Sequence, residues 1–131
     1  MNLFKQWFQN ARPISLAQSM MPAITALVLS LGIEDFNYIA AIIAIVGVMF
    51  AHLGMNLADD YFDYIQVPQE SRDKLVRKGI RARTSKCPYL KDGSATLPQL
   101  RNAMIIFLLI AALCGGAVTL FNFSTELLWV V

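Results

Sequence analysis

The sequence predicts an all-α transmembrane helical bundle, and three observations predict it. Of 131 residues, 56% are hydrophobic and 15% charged, against about 45–50% and about 25% in soluble domains. The apolar residues gather into three runs, each near the roughly 20 residues that cross a bilayer. Every Lys and Arg falls on one side of the topology those runs define.

The elements follow in order. Residues 1–12 set Phe4, Trp7 and Phe8 among Lys5, Gln6 and Gln9, an amphipathic pattern that predicts an interfacial helix on the headgroups. The long apolar stretch that follows has no clear cleavage site, which argues against a signal peptide. The first span covers about residues 14–32, and Gln18, Ser19 and Pro22 make it the most polar of the three. The second covers about 38–65, purely apolar through Phe50 and polar from His52 onward. A basic loop of about residues 66–101 comes next, and the third span is expected at about 102–121. Thr96 with Pro98 is a candidate start for the third helix. Residues 127–131 read as the start of a fourth span, so the chain reads as the front part of a longer bundle.

Charge sets the orientation. Lys5 and Arg12 precede the first span, and the other nine of the 11 basic residues lie in the loop. The opposite turns carry Glu34, Asp35 and Glu126 as their charged residues. The positive-inside rule therefore predicts a cytoplasmic N-terminus and loop, with a bacterial inner membrane as the expected location. Topology accounts for the basic charge without a nucleic-acid partner, and membrane lipid is the expected surrounding. Cys87 and Cys114 form neither a metal spacing nor a disulfide framework.

Chemistry concentrates at the end of the second span, in the stretch from His52 through Asn56 and Asp59-Asp60-Tyr61-Phe62 to Asp63. Carboxylates at a membrane helix end usually mark function. At about 100° per residue, Asn56, Asp60 and Asp63 fall within about 60° of one another, and His52 and Asp59 widen that face to about 100°. Carboxylates this close call for a cation, and hard oxygen ligands suit Mg²⁺, which also takes phosphate oxygens. The plainer alternative is a helix end emerging into water with its acids merely solvated. His52 either lines a substrate cavity or hydrogen-bonds a neighbouring helix, and Arg12 either approaches a phosphate or anchors the helix at the headgroups. Arg77, Lys78, Arg81 and Arg83 cluster as phosphate candidates. Tyr61 and Phe62 read as packing or interfacial anchors, and Gly54, Gly115 and Gly116 as points of close helix approach.

The run Asp59-Asp60-Tyr61-Phe62-Asp63 is a D-D-x-x-D pattern. With Asn56 before it, it resembles the first aspartate-rich motif of the UbiA prenyltransferase superfamily, most closely the menaquinone-type (1,4-dihydroxy-2-naphthoate) branch. Arg12-Pro13 resembles that family's opening R-P, and the stretch from Gly93 to Thr96 its loop end. Asp59 stands where Asn is usual, and Val67 where a further Asp is expected. The resemblance implies a bundle of about nine helices, of which about three are present, and a second Asp-rich motif that this sequence does not contain. It implies transfer of a polyprenyl group from its diphosphate to an aromatic acceptor, with Mg²⁺ assistance. Asn56, Asp60 and Asp63 would be catalytic, Asp59 would join them as metal ligands, and Arg12, His52, Arg77, Lys78, Arg81 and Arg83 would meet the substrate. On that implication the three spans by themselves are inactive. The alternative is a non-enzymatic small membrane subunit, or a cation-binding transporter component, using the same polar stripe.

Overall fold

The computed structural model describes residues 3–34, 36–66, 78 and 87–121. Every regular element among them is helical: α1 (Leu3–Asn10), a single 3₁₀ turn (Pro13–Ser15), α2 (Leu16–Ser30), α3 (Tyr38–Gln66), the short α4 (Pro88–Lys91) and α5 (Leu97–Phe121). Three stretches, Pro13–Ser30, Tyr38–Gln66 and Leu97–Leu120, are long and apolar enough to cross a membrane. The all-α bundle expected from composition is what the chain forms. The fourth span expected at 127–131 lies outside the described residues.

Local chemistry sets the helix ends. Asn37 caps α3: its Oδ1 accepts the Ala40 N–H at 3.0 Å, and its carbonyl accepts the Ala41 N–H at 3.1 Å. That side chain satisfies a donor that has no partner within the helix. The third span starts at Leu97 rather than near Asn102, which shortens the expected loop of 66–101. The reason is a cap: the Thr96 N–H donates to Gln99 Oε1 at 2.9 Å, and Pro98 sits in the first turn, where a missing N–H is harmless. Polar residues before Asn102 thus belong to the helix because they begin it. The first span is likewise divided. Its helix proper is Leu16–Ser30, and a 3₁₀ turn led by Pro13 joins it to Arg12.

The three long helices do not share packing equally. α3 lies chiefly against α5 and only secondarily against α2. Two glycines let α3 and α5 approach. A Cβ on Gly54 would stand 2.8 Å from Leu108 Cδ2, and one on Gly47 would stand 3.0 Å from Cys114 Cβ. Spaced seven apart, they mark one seam along α3, as small residues do where membrane helices touch. Gly115 and Gly116 do not serve this way: a Cβ on either meets nothing within 4 Å. α2 has no buried residue.

The core sits toward one end of the bundle. Leu53, Leu57 and Leu100 are fully buried there, with Trp7, Ala11, Ala103 and Phe107 around them. Phe107 packs edge-on to Phe50 at 5.5 Å and takes Phe4 at 6.0 Å. α1 therefore closes this end by its Trp7 face, while Leu3 and Phe4 remain exposed.

Candidate functional site

The polar stripe of α3 meets the start of α2 at the core end of the bundle. His52, Asn56 and Asp60 stand one turn apart on α3, so their side chains line one face. They meet the turn around Arg12, which holds a left-handed backbone (φ 58°, ψ 62°). A non-glycine residue rarely adopts that region, and it does so where surrounding contacts over-determine it. Here Pro13 fixes the next φ, and the Arg12 N–H and carbonyl are bonded to Gln9 and Ser15.

Asp60 is the centre of the arrangement. Its side chain is 4% exposed. Arg12 Nη2 donates to Oδ1, and the Tyr89 hydroxyl donates to Oδ2 at 2.9 Å. Cys87 Sγ donates to the Asp60 backbone carbonyl at 3.5 Å. Arg12 Nη2 also reaches the Asn56 carbonyl at 3.4 Å and Asp59 Oδ2 at 3.6 Å. Buried carboxylates survive only when paired and hydrogen-bonded, and Asp60 is both. Burial, the Asp60 charge and the hydrogen bond to it push the Tyr89 hydroxyl far above the ordinary tyrosine range.

A second set of bonds lies deeper. Asn56 Nδ2 donates to the Ala11 carbonyl at 2.8 Å and to Ser15 Oγ at 2.9 Å. Ser15 Oγ donates to the Arg12 carbonyl at 2.8 Å. His52 Nε2 is 2.8 Å from Ser15 Oγ, and its Nδ1 is 2.6 Å from Ser19 Oγ. Ser15 has one proton, already committed to a carbonyl, so it accepts from His52. In the neutral ring the hydrogen therefore sits on Nε2, and Nδ1 accepts from Ser19. His52 thus ties α3 to α2, the second of the two roles its sequence position allowed.

Tyr89 lies in α4, and the segments on either side of that short helix hold it in place. Cys87 repeats the left-handed conformation of Arg12 (φ 58°, ψ 55°) at the start of α4. The Tyr89 carbonyl takes the Ala95 N–H at 2.8 Å and the Ser94 hydroxyl at 3.2 Å. The Tyr89 ring packs edge-on to Trp7 at 5.8 Å, and Gln6 Nε2 donates to the Ser94 carbonyl at 3.3 Å. Asp92 Oδ1 accepts the Ser94 N–H at 2.8 Å, which holds its carboxylate below the usual range.

The expected site residues divide accordingly. Arg12, His52, Asn56 and Asp60 come together between α2 and α3. Asp59 touches the cluster through Arg12 but is 56% exposed. Asp63 is half-buried one turn beyond Asp59, and Lys78 is exposed. Arg77, Arg81 and Arg83 lie outside the described residues. Ser15 and Tyr89 were not singled out from sequence, and Ser19 was noted only for making the first span polar. The serines carried a signal, two hydroxyls at i and i+4 on the most polar span. Tyr89 carried none, since its four-residue helix is too short to show a periodicity within the expected loop of 66–101.

No family, characterised protein or solved structure matches this chain.

The donor set decides how Mg²⁺ could be held. Among the described residues, no three acidic, His or Cys side chains converge as a metal site. Mg²⁺ seldom needs such a cage, because one or two carboxylates complete its shell with phosphate oxygens and water. Asp60 is committed to Arg12 and Tyr89. Asp59, ion-paired to Arg12, and Asp63, four residues on along α3, are the more accessible carboxylates of the stripe.

Proposed function

We propose that this chain contributes the diphosphate-binding end of a UbiA-type membrane prenyltransferase, which moves a polyprenyl group from its diphosphate to an aromatic acceptor. The observation that carries the reading is the meeting of Arg12, Asn56, Asp59 and Asp60 where apolar α2 and α3 become polar. A cation beside acidic groups at a bilayer boundary suits a ligand with an anionic head and a hydrocarbon tail. On this reading Arg12 orients the diphosphate, which it meets with a planar fork of donors. Asp59 and Asp63 hold Mg²⁺, which supplies charge stabilisation for the departing diphosphate. The tail lies along the cleft between α2 and α3, lined by Ala23, Leu27, Ile45 and Val48. A quinone precursor such as 1,4-dihydroxy-2-naphthoate is the first acceptor to try, and the Arg12 end faces the cytoplasm of a bacterial inner membrane.

The test is Mg²⁺-dependent transfer of labelled polyprenyl groups, against a panel of aromatic acceptors, in membranes where these three spans stand within the larger bundle that the reading requires. Asp59→Asn and Asp63→Asn are each expected to lower transfer at least about a hundredfold, as loss of a metal ligand does in comparable sites. Wild-type turnover in both variants would remove the assignment.

A second reading rests on the saturation of the cluster. Asp60 and His52 each use both of their polar side-chain atoms within the protein. Such a network also serves as interhelical glue in a non-enzymatic membrane subunit. That reading expects no prenyl transfer with any acceptor, but the same loss of stability when Asp60 is removed.

A further inference from the structure

We propose that Tyr89 and Asp60 form a positioning couple for Arg12, which holds its guanidinium at the mouth of the site to receive a diphosphate. The inference rests on the function proposed above and deepens it. It gives Asp60 a task other than metal binding, and it brings in Tyr89.

Four observations carry it. Asp60 is buried, and its two oxygens have different donors: Arg12 on Oδ1 and Tyr89 on Oδ2. A carboxylate held at both oxygens cannot swing, so Oδ1 presents a fixed point to Arg12. Arg12 is 32% exposed, so its guanidinium joins a buried anchor to the accessible side where Asp59 stands. Finally, Arg12 and Cys87 are the two described non-glycine residues with positive φ, and both lie at this carboxylate. Arg12 donates to its side chain, and Cys87 bonds its backbone and starts the turn that places Tyr89. A left-handed backbone is unfavourable for a residue that carries a side chain. Two such turns converging on one residue indicate a geometry held against local preference.

The logic is that of a preorganised site. Arg is long and rotamer-rich, so an unanchored guanidinium loses freedom when it grips an anion. With Asp60 already gripping one edge, the remaining donors approach the ligand with that loss already met. Tyr89 acts one step back. It touches no ligand but fixes the carboxylate that fixes Arg12.

The experiment uses the full chain in detergent micelles, with inorganic pyrophosphate plus Mg²⁺ as the probe, read by calorimetry. Tyr89→Phe keeps the ring against Trp7 and removes only the hydroxyl. It is expected to weaken pyrophosphate binding about tenfold, the scale of one hydrogen bond to a charged group. Asp60→Asn should weaken it at least as much. Leu100→Ala, an apolar truncation of the core, controls for stability loss alone and should leave affinity within about twofold while lowering Tm. Wild-type affinity in Tyr89→Phe would overturn the couple. A second readout stands apart from the ligand, namely the guanidinium ¹⁵N–¹H signals of Arg12 in labelled protein. They should be resolved in the wild type and averaged by rotation in Tyr89→Phe. If wild-type protein binds no pyrophosphate, the proposed function fails, and the Arg12 signals alone decide the couple. Identical signals in both proteins would overturn it.

Discussion

The two ends of the helical bundle are built on different principles. At the Arg12 end, the entry to α2, α3 and α4 are joined by directional bonds among Arg12, Ser15, Ser19, His52, Asn56, Asp60 and Tyr89, laid over a core of Leu53, Leu57 and Leu100. At the Glu34 end, α3 presents Ala40, Ala41 and Ala44, bordered by open clefts of about 280–350 Å³. Within apolar surroundings, hydrophobic burial no longer separates good helix contacts from poor ones, so packing and polar bonds must do it. The polar end has both, and the opposite end has neither in quantity. Directional bonds thus fix the geometry at one end, while open apolar clefts border the helices at the other.

That contrast can be broken most severely at Asp60. Asp60→Ala leaves the Arg12 guanidinium and the Tyr89 hydroxyl without their common partner. It is expected to destabilise the protein by about 3 kcal/mol, the lower range for breaking a buried pair, because Arg12 is partly exposed. Denaturant titration in micelles measures it. Val48→Ala, in a cleft wall at the other end, should change stability by less than about 1 kcal/mol. Equal losses in the two variants would show that the ends do not differ.

A gentler test probes the seam. Gly54→Ala forces Leu108 to move and should cost about 1–3 kcal/mol, whereas Gly116→Ala, in open space, should fall within about 0.5 kcal/mol. Thermal melts of both distinguish a packed seam from an unused face.

The smallest expected effect is on pH. The folded state raises Tyr89 above its unfolded value of about 10. The associated stability is therefore complete below about pH 10 and declines as pH rises beyond it. Tyr89→Phe should flatten that decline. Asp92 runs the opposite way: its depressed carboxylate contributes stability that is lost as pH falls below about 4. Because Asp92 is fully exposed, its change should be the slightest. Melts between pH 3 and about 11 test both signs.

How far the sequence could be read differs by element. The long spans were legible because a run of apolar residues long enough to cross a bilayer has few other uses. The start of α5 was legible in Thr96 with Pro98, while Gln99 and Arg101 fell outside the apolar run at about 102–121 although they lie in the first turns of that helix. Gly54 was rightly suspected of close approach, and Gly115 and Gly116 were not distinguishable from it. A glycine's neighbours on another helix leave no mark in its own sequence.

Composition, apolar run length and the 3.6-residue period by themselves determined that this chain is helical, that three segments can cross a membrane, and that His52, Asn56 and Asp60 share one face of α3. Only the tertiary structure decided what those side chains meet. Arg12, 48 residues from Asp60, and Tyr89, 29 residues from it, reach one carboxylate through two left-handed turns. The period of a helix is a local property of the backbone, so sequence carries it. The partner of a buried charge is set by desolvation and geometry between distant segments, which exist only once the helices have packed.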